Sequence, residues 1–252
     1  MLKSFIKKFV PEQFLDSMRV MGPFDRYGTK SYSQEGEDMI LRRIFEGKAR
    51  GFYVDVGAHH PTRFSNTHFF YKRGWCGINI EPNPGVSDFF RSVRKRDIHV
   101  ELGVSDSAGE ITYYQFNEPA LNTFDSESVK SSLARQQYHL KSTCRVTVER
   151  LDQILDSYLP LGTSIDFLSI DVEGLDLAVL RSNNWQRYRP KCVLVEVLKS
   201  SLEDVMNNPV YGFMKQQQYM LHAKTHNTVF FLDCSSDSDD LAVSPARSMP
   251  AL

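Results

Sequence analysis

The sequence predicts an α/β fold in which a mostly parallel sheet is covered by helices on both faces and ends in an antiparallel hairpin. Short apolar runs that suit buried strands alternate along the chain with segments of helical periodicity. The first buried run, residues 51–56, leads into a glycine turn at Gly57, which is typical of a strand that ends at a ligand crevice. The last two runs, residues 219–223 and 228–232, are separated only by a short polar turn, which predicts the hairpin.

The composition indicates one large globular domain. The chain has 252 residues, of which 41% are hydrophobic and 24% are charged, enough for a substantial core. The formal net charge of −1 gives no reason to expect a nucleic-acid partner. The sequence shows neither an apolar stretch of membrane-span length nor a signal-peptide core, so a cytoplasmic enzyme is expected. The four cysteines lack metal-ligand spacing, and free thiols are expected.

The two ends of the chain differ from the central domain, which is expected to span residues 31–233. Residues 1–30 are predicted to form a helix and a linker, because apolar residues recur at helical spacing between lysines. That helix is expected to pack on the domain or to cover its cleft, and contact with a membrane surface is the alternative. Residues 234–252 are rich in Ser, Asp, Pro and Ala and are expected to be disordered.

The first half of the domain is predicted to alternate three parallel strands with helices. The strands are expected at residues 51–56, 77–81 and 98–104, and the helices at residues 39–45, 61–71 and 86–95. Ser33 is expected to cap the first helix, whose first turn is acidic. Pro61 suits the first turn of the second helix, which is expected to carry Phe64.

The second half of the domain is predicted to complete the sheet. Strands are expected at residues 111–116, 145–148, 165–170, 191–197, 219–223 and 228–232, with helices at residues 151–158 and 175–181. The strand at residues 111–116 is expected to be an added antiparallel one. Residues 117–143 are polar and weakly periodic, which predicts a long surface excursion. Such excursions in compact α/β domains are often substrate loops or lids, so this segment is the candidate substrate loop.

An acidic residue at the end of the second strand indicates a nucleotide-like ligand. Glu81 closes the run at residues 77–81 and follows Asp55 by 26 positions. In an open parallel sheet such a ligand lies beyond the carboxyl ends of the strands. A carboxylate at that place can accept hydrogen bonds from both hydroxyls of a ribose. Glu81 is therefore the first candidate for cofactor binding.

Five motifs, in a fixed order, give the chain a resemblance to a known family. They are residues 32–38 (Tyr-Ser-Gln-Glu-Gly-Glu-Asp), 55–58 (Asp-Val-Gly-Ala), 65–67 (Ser-Asn-Thr), 77–84 (Gly-Ile-Asn-Ile-Glu-Pro-Asn-Pro) and 169–174 (Ser-Ile-Asp-Val-Glu-Gly). The set resembles the FkbM-type methyltransferases over residues 30–232. The resemblance implies the Rossmann-like class I methyltransferase fold, with a mostly parallel seven-stranded sheet and a C-terminal hairpin. It also implies S-adenosyl-L-methionine as cofactor and methyl transfer to oxygen, commonly a hydroxyl on a sugar, a glycan or a natural product.

Seven residues are expected to bind this cofactor: Ser33, Gln34, Asp55, Gly57, Ala58, Glu81 and Asp106. Glu81 is assigned to the ribose hydroxyls. Gly57 and Ala58 are expected to let the methionine portion approach the backbone. Asp55 is expected to orient the turn or to bind the ammonium group through water, and a purely structural turn acid is the alternative.

The other assignments depend on position alone. Asp106 follows the third strand, where this fold often contacts the adenine amino group. Ser33 and Gln34 precede a helix that could fold over the cofactor, although an ordinary helix cap explains Ser33 as well.

Three carboxylates and a histidine are the catalytic candidates: His60, Asp171, Glu173 and Glu196. The carboxylates follow or end two neighbouring strands, so they should meet at one rim of the cleft. A sugar hydroxyl is a poor nucleophile, and a general base or a metal is the usual remedy. Asp171 and Glu196 could bind a divalent cation such as Mg²⁺ or Mn²⁺, with His60 as base or further ligand. The alternative is that Asp171 and Glu173 hold the cofactor's ammonium group and cap the next helix.

Two other functions fit the same fold class. A nicotinamide-dependent oxidoreductase is disfavoured, because no Gly-x-Gly-x-x-Gly follows the first strand. A non-catalytic interaction module is disfavoured by the presence of Glu81, Asp171 and Glu173, although those residues alone do not decide the matter.

Overall fold

The computed structural model describes residues 28–198 and 200–235 of the chain. The strands, in chain order, are β1 Phe52–Val56, β2 Cys76–Ile80, β3 Ile98–Val100, β4 Gly103–Val104, β5 Gly109–Phe116, β6 Leu140–Glu149, β7 Phe167–Ile170, β8 Cys192–Glu196, β9 Tyr219–Lys224 and β10 Thr228–Asp233. The helices are α1 Glu37–Ile44, α2 His68–Lys72, α3 Val86–Val93, α4 Ser126–Leu133, α5 Leu151–Tyr158, α6 Asp176–Ser182, α7 Leu202–Asn207 and α8 Pro209–Gln216, and a 3-10 turn spans Pro119–Leu121.

The main sheet has seven strands in the order β3-β2-β1-β7-β8-β10-β9. The first five of these pair in parallel. β10 is antiparallel to both β8 and β9, so the hairpin lies at one edge of the sheet. The order reverses at β1, which lies between β2 and β7, and this switch point is where an open α/β sheet binds its ligand. The predicted class I methyltransferase fold with its C-terminal hairpin is confirmed.

β1 is buried along its whole length, because protein covers both faces of the sheet. Val54 and Val56 join one apolar cluster together with Leu168 of β7. Tyr53 faces the opposite side and joins a second cluster with Phe167. Side chains of β1 alternate between the two faces of the sheet, so the strand contributes to both apolar clusters. Packing on both faces of β1 fixes the position of the turn that follows it.

The third predicted strand, residues 98–104, is two strands in different sheets. β3 ends at Val100 in the main sheet, whereas β4 pairs with β6 in a second sheet of order β4-β6-β5. Between them the Glu101 carboxylate accepts hydrogen bonds from the backbone N–H groups of Gly85 (2.9 Å) and Ser87 (3.2 Å). The prediction of one continuous strand is wrong, because this polar tether takes the chain out of the main sheet.

The predicted excursion, residues 117–143, has more regular structure than its composition suggests. It contains the 3-10 turn, α4 and the first residues of β6. Asp125 caps α4, and its carboxylate accepts a hydrogen bond from the Ser128 backbone N–H at 2.7 Å. β6 begins at Leu140 because it pairs antiparallel with β5 over that length. Such distant pairing leaves no local periodicity in the sequence.

The first helix begins after the residue predicted to cap it. The N-cap of α1 is Gly36, with φ of 89°, not Ser33. The Ser33 hydroxyl instead donates a hydrogen bond to the Asp38 carboxylate at 2.8 Å and accepts one from the Asp38 backbone N–H at 3.3 Å. The two residues thus fix the approach of the chain to the helix.

The second helix begins only at His68, well after Pro61. The His60 Nδ1 accepts hydrogen bonds from the backbone N–H groups of Thr62 (3.0 Å) and Arg63 (2.9 Å), which forms a turn in place of a helix. Phe64 therefore lies outside the helix, is 41% exposed and has φ of 53°. The segment between β1 and α2 is a shaped loop beside the switch point.

Two expectations concern residues outside the described part of the chain. One is the helix and linker predicted for residues 1–30, of which only residues 28–30 are described. The other is the predicted tail beyond residue 235. Among the helices that the structure describes, none combines the length and the apolar character needed to cross a membrane. The cysteines Cys76, Cys144, Cys192 and Cys234 are free, as expected.

Candidate cofactor and acceptor site

A cavity of about 580 Å³ opens where β1, β2, β7 and β8 reach their carboxyl ends. Val56, Gly57, Ile80 and Glu81 form part of its wall. Its size is within the range of sites that bind small molecules. The cavity occupies the place that the switch-point rule predicts for a nucleotide-like ligand.

The turn after β1 needs glycine for two independent reasons. Gly57 has φ of 81°, and its N–H donates to the Ile80 carbonyl at 3.0 Å. A Cβ at this position would lie 1.8 Å from the carbonyl oxygen of Asp171. The next residue, Ala58, is buried, donates to the same Ile80 carbonyl at 3.1 Å and is not part of the cavity wall. Gly57 is thus the point where backbone itself lines the cavity.

Glu81 lies in the cavity wall just past the end of β2 and is 7% exposed. Its Oε2 accepts a hydrogen bond from the His59 backbone N–H at 2.8 Å, and its Oε1 accepts one from the Asn83 backbone N–H at 3.0 Å. The Tyr113 hydroxyl lies 3.5 Å from Oε1. Burial raises the pKa of Glu81 to about 7, although these hydrogen bonds oppose the shift. A carboxylate offers about four acceptor positions, so Glu81 can still accept hydroxyl donors from the cavity.

His59 is a site residue to which the sequence assigned no role. It lines the cavity with φ of 50°, and its buried Nε2 has no hydrogen-bond partner among the described residues. Burial, followed by the positive charges of Arg63 and His60, lowers its pKa to about 4, so the ring is neutral. A strained backbone and an unpaired buried nitrogen are features of ligand sites.

Asp55 lies beneath the turn and outside the cavity wall. It is buried, and its Oδ2 accepts a hydrogen bond from the Thr67 hydroxyl at 3.0 Å; burial raises its pKa. The Thr67 hydroxyl accepts in turn from Arg94 at 2.6 Å, and Arg94 also donates to the Pro61 carbonyl (3.0 Å) and to Asp97 (2.8 Å). This buried network ties the loop after β1 to the end of α3. The geometry favours the structural role of Asp55.

The structure brings three predicted carboxylates together at the cavity: Asp171, Glu173 and Glu196. One carboxylate oxygen of each lies within 4.8 Å of the other two. Asp171 is held at its backbone, where its N–H donates to the Val56 carbonyl at 3.0 Å. Glu173 has φ of 50° and is, after His59 and Phe64, a third strained residue in the cavity wall.

Burial and mutual repulsion raise the pKa of every carboxyl group in this cluster. Asp171 is exposed to the cavity, and its pKa is raised by desolvation within the cleft first and then by the charges of Glu173 and Asp176. The pKa of Glu196 is raised by burial and then by Asp171. Burial and then Asp176 raise the pKa of Glu173 to about 7, and burial raises that of Asp176 to about 6. Because such close carboxyls cannot all ionise independently, a proton, an ammonium group or a metal cation would relieve their repulsion.

Asp176, the first residue of α6, shapes the turn that precedes the helix. Its carboxylate accepts hydrogen bonds from the backbone N–H groups of Val172 (3.3 Å) and Gly174 (3.2 Å). The N-cap of α6 is Leu175, so neither Asp171 nor Glu173 caps this helix, and both line the cavity instead.

Other predicted site residues have different positions. Gln34 lines the cavity, whereas Ser33 does not. Asp106 is exposed in the turn after β4, because the third strand leaves the main sheet six residues earlier, and its carboxylate accepts from the Ser107 hydroxyl at 3.4 Å. His60 lies outside the cavity wall, and burial followed by Arg63 lowers its pKa. The Nδ1 of His60 is occupied by two backbone N–H groups, so this atom is not available to a metal.

The segment predicted as a substrate loop forms the far wall of the cavity. Its contributing residues are Glu118, Pro119, Ala120, Leu121, Asn122, Thr123, Phe124, Ser128, Ser131, Ser132, Arg135 and Tyr138. Glu118 forms an ion pair with Arg63 of the opposite loop at 3.1 Å, and the Thr123 hydroxyl donates to the Glu173 carbonyl at 3.0 Å. These contacts join the segment to both the cofactor side and the carboxylate side of the cavity.

Comparison with known proteins adds to this geometry. The model of the methyltransferase FkbM domain matches residues 55–221. Among solved structures, the chain is similar to a TehB-like SAM-dependent methyltransferase from Corynebacterium glutamicum, with 10% identity, a TM-score of 0.41, and coverage of 88% of this chain and 97% of that one. The comparison with curated proteins gives no match.

Proposed function

This chain belongs to the FkbM family of S-adenosylmethionine-dependent methyltransferases, and on that premise we propose that it methylates a hydroxyl oxygen on a sugar, a glycan or a natural product. The raised-pKa carboxylates at the cavity suit an acceptor that must lose a proton as it reacts. Phe124 and Tyr138 of the far wall offer aromatic surface against which a sugar ring can stack. We assign residues 31–233 to the methyltransferase domain and residues 117–143 to its substrate loop.

The observation that carries the proposal is the placement of Glu81 beside Gly57 at the switch point of the sheet. Glu81 retains acceptor capacity for one ribose hydroxyl, and for a second where the cofactor displaces the 3.5 Å contact of the Tyr113 hydroxyl, and Gly57 lets a methionine portion lie against backbone. His59 lines the same wall, and its buried Nε2 has no hydrogen-bond partner among the described residues. The residues present therefore fit the cofactor.

Methyl transfer is an in-line displacement at carbon, so the protein must align the acceptor and take up its proton. The bound cofactor supplies the methyl group, activated by its sulfonium sulfur. Glu173 is the general base in this proposal, because its pKa of about 7 is near the operating pH. The Glu173 carboxylate would accept the proton of the acceptor hydroxyl as that oxygen takes the methyl group, the carbon–sulfur bond breaks and S-adenosylhomocysteine is left. Asp171 or Glu196, whose pKa values are raised, can orient the acceptor as a protonated acid that donates one hydrogen bond to the oxygen lone pair not used in the attack.

A divalent cation at the same carboxylates is a second proposal. No two of the three nearest oxygens are more than 4.8 Å apart. Three carboxylate oxygens this close together can converge on one oxygen-binding divalent cation such as Mg²⁺ or Mn²⁺, with Asp171 and Glu196 among its ligands. Turnover that survives exhaustive chelation would remove this proposal.

We also propose that the acceptor is a small molecule or a glycan, not a nucleic acid, and that the enzyme works in the cytoplasm. The near-neutral net charge of −1 supports the first statement. The free thiols are compatible with a reducing compartment.

The test uses S-adenosylmethionine labelled in its methyl group and a panel of sugars, glycans and hydroxylated natural products. Label that remains after mild alkali in an acceptor without nitrogen identifies an ether, since methyl esters are hydrolysed. Glu173→Gln is expected to slow transfer by about 10²–10⁴-fold. Label found only on nitrogen or carboxylate acceptors would reject the oxygen acceptor. A folded chain that fails to bind S-adenosylhomocysteine would instead favour the non-catalytic interaction module.

A further inference from the structure

A second, smaller cavity adjoins the first at the carboxylate cluster. It has a volume of about 330 Å³, and Glu196 and Leu198 line both cavities. The start of α6 and the start of α8 form its other walls. We call this second cavity the side groove. A molecule with one end at the carboxylate cluster can therefore extend past Leu198 into the side groove.

The side groove has both apolar and polar residues in its walls. Five of its nine lining residues are apolar: Leu177, Val197, Leu198, Pro209 and Val210. Leu198 is 52% exposed at the junction of the two cavities. The neighbouring helix α7 leaves Leu202 and Met206, one helical turn apart, 61% and 59% exposed. Exposed apolar surface beside a polar reaction site is characteristic of a ligand groove.

The polar side chains of the side groove are already used by the fold. The Asp176 carboxylate accepts the two backbone N–H groups that shape the turn before α6. The Asn208 side chain caps α8, with its Oδ1 accepting from the Val210 backbone N–H at 2.8 Å. Glu196 belongs to the carboxylate cluster. The side groove thus offers few free polar groups to a second sugar unit, while its apolar walls are open.

We propose that the methyl acceptor is amphipathic. Its hydroxyl-bearing head lies at Asp171, Glu173 and Glu196, and an apolar segment lies in the side groove against Leu198 and Leu177. This inference rests on the proposed function, since it identifies the class of acceptor for the same reaction. A lipid-linked sugar or a sugar on an apolar aglycone has this chemistry.

The test measures binding, so it needs no knowledge of the natural acceptor. Butyl, hexyl and octyl β-glucosides, each below its micelle concentration, are titrated calorimetrically into the chain saturated with S-adenosylhomocysteine. We expect the dissociation constant to fall by up to about fourfold per added methylene, which corresponds to about 0.8 kcal/mol. Leu198→Asp is expected to remove this dependence on chain length. Leu198→Trp, which fills the junction, is expected to weaken octyl glucoside more than butyl glucoside.

The matched control is Leu161→Asp, because Leu161 is fully exposed and lies outside both cavities. This variant is expected to keep the wild-type dependence on chain length. Equal affinities for butyl and octyl glucoside would overturn the inference, and so would an unchanged dependence in Leu198→Asp. The binding heat of S-adenosylhomocysteine is recorded first, so failure of the proposed function is recognised separately from failure of the side groove.

Discussion

The charge state of Glu81 should control the affinity of the chain for S-adenosylhomocysteine. Burial raises the pKa of this carboxyl to about 7 in the free protein. Ribose hydroxyls donate hydrogen bonds, so they bind the ionised carboxylate better than the protonated acid. Cofactor affinity should therefore rise with pH across neutrality, and Glu81→Gln should remove that dependence.

The magnitude follows from the pKa. A carboxyl with a pKa of about 7 is ionised in roughly one-tenth of the molecules at pH 6 and in roughly nine-tenths at pH 8. If only the ionised form binds, the dissociation constant falls about ninefold between these two values, which corresponds to about 1.3 kcal/mol. At pH 8 the loss of one or two hydrogen bonds to a charged group in Glu81→Gln should cost about 2–4 kcal/mol.

The assay is titration calorimetry with S-adenosylhomocysteine at pH 6, 7 and 8, with wild type and Glu81→Gln measured in parallel. The amino group of S-adenosylhomocysteine also titrates over this range, but it does so equally in experiments with either protein. The difference between the pH profiles of wild type and Glu81→Gln therefore isolates the effect of Glu81. A wild-type profile that is flat, or that Glu81→Gln reproduces, would refute the assignment of Glu81 to the ribose.

Three further predictions concern the fold around the site. Gly57→Ala should abolish cofactor binding measured by calorimetry, because its Cβ would lie 1.8 Å from the Asp171 carbonyl; retained affinity would contradict this. Arg94→Met should lower the free energy of unfolding in urea by about 3–5 kcal/mol, because it leaves buried Asp97 without its cation, and a loss under 1 kcal/mol would argue against that role. The free protein should lose stability as pH rises from 4.5 to 8, because Glu81, with its raised pKa, holds a proton when folded that it releases when unfolded. Glu81 alone accounts for about 3 kcal/mol of this loss in the free energy of unfolding. Urea titrations in which wild type and Glu81→Gln show the same pH dependence would contradict this prediction.

Strand ends were the part of the site that the sequence could predict. Glu81, Asp171 and Glu196 each follow or end a buried apolar run, and parallel strands bring their carboxyl ends to one edge by geometry alone. The same rule misplaced Asp106, because the run at residues 98–104 conceals the polar break at Glu101. An apolar run shows that residues are buried but not which sheet receives them.

The sequence identified residues 117–143 as the candidate substrate loop, but it did not show the secondary structure that these residues form in the far wall of the cavity. β5 and β6 are held by pairing across a long connection, and that pairing has no local signature in residues 117–143. His59 was missed for a related reason. Its left-handed backbone lies in a tight turn, and its N–H donates to the Glu81 carboxylate, which is distant in sequence. A pattern of residue types cannot show a site that tertiary contacts create.

The central claim is that the cofactor occupies the switch point of the sheet with its ribose on Glu81. A crystal structure of the chain with S-adenosylhomocysteine tests it most directly. The account predicts both ribose hydroxyls within hydrogen-bond distance of the Glu81 carboxylate and the methionine portion against Gly57. A ligand bound elsewhere, or a ribose turned away from Glu81, would contradict it.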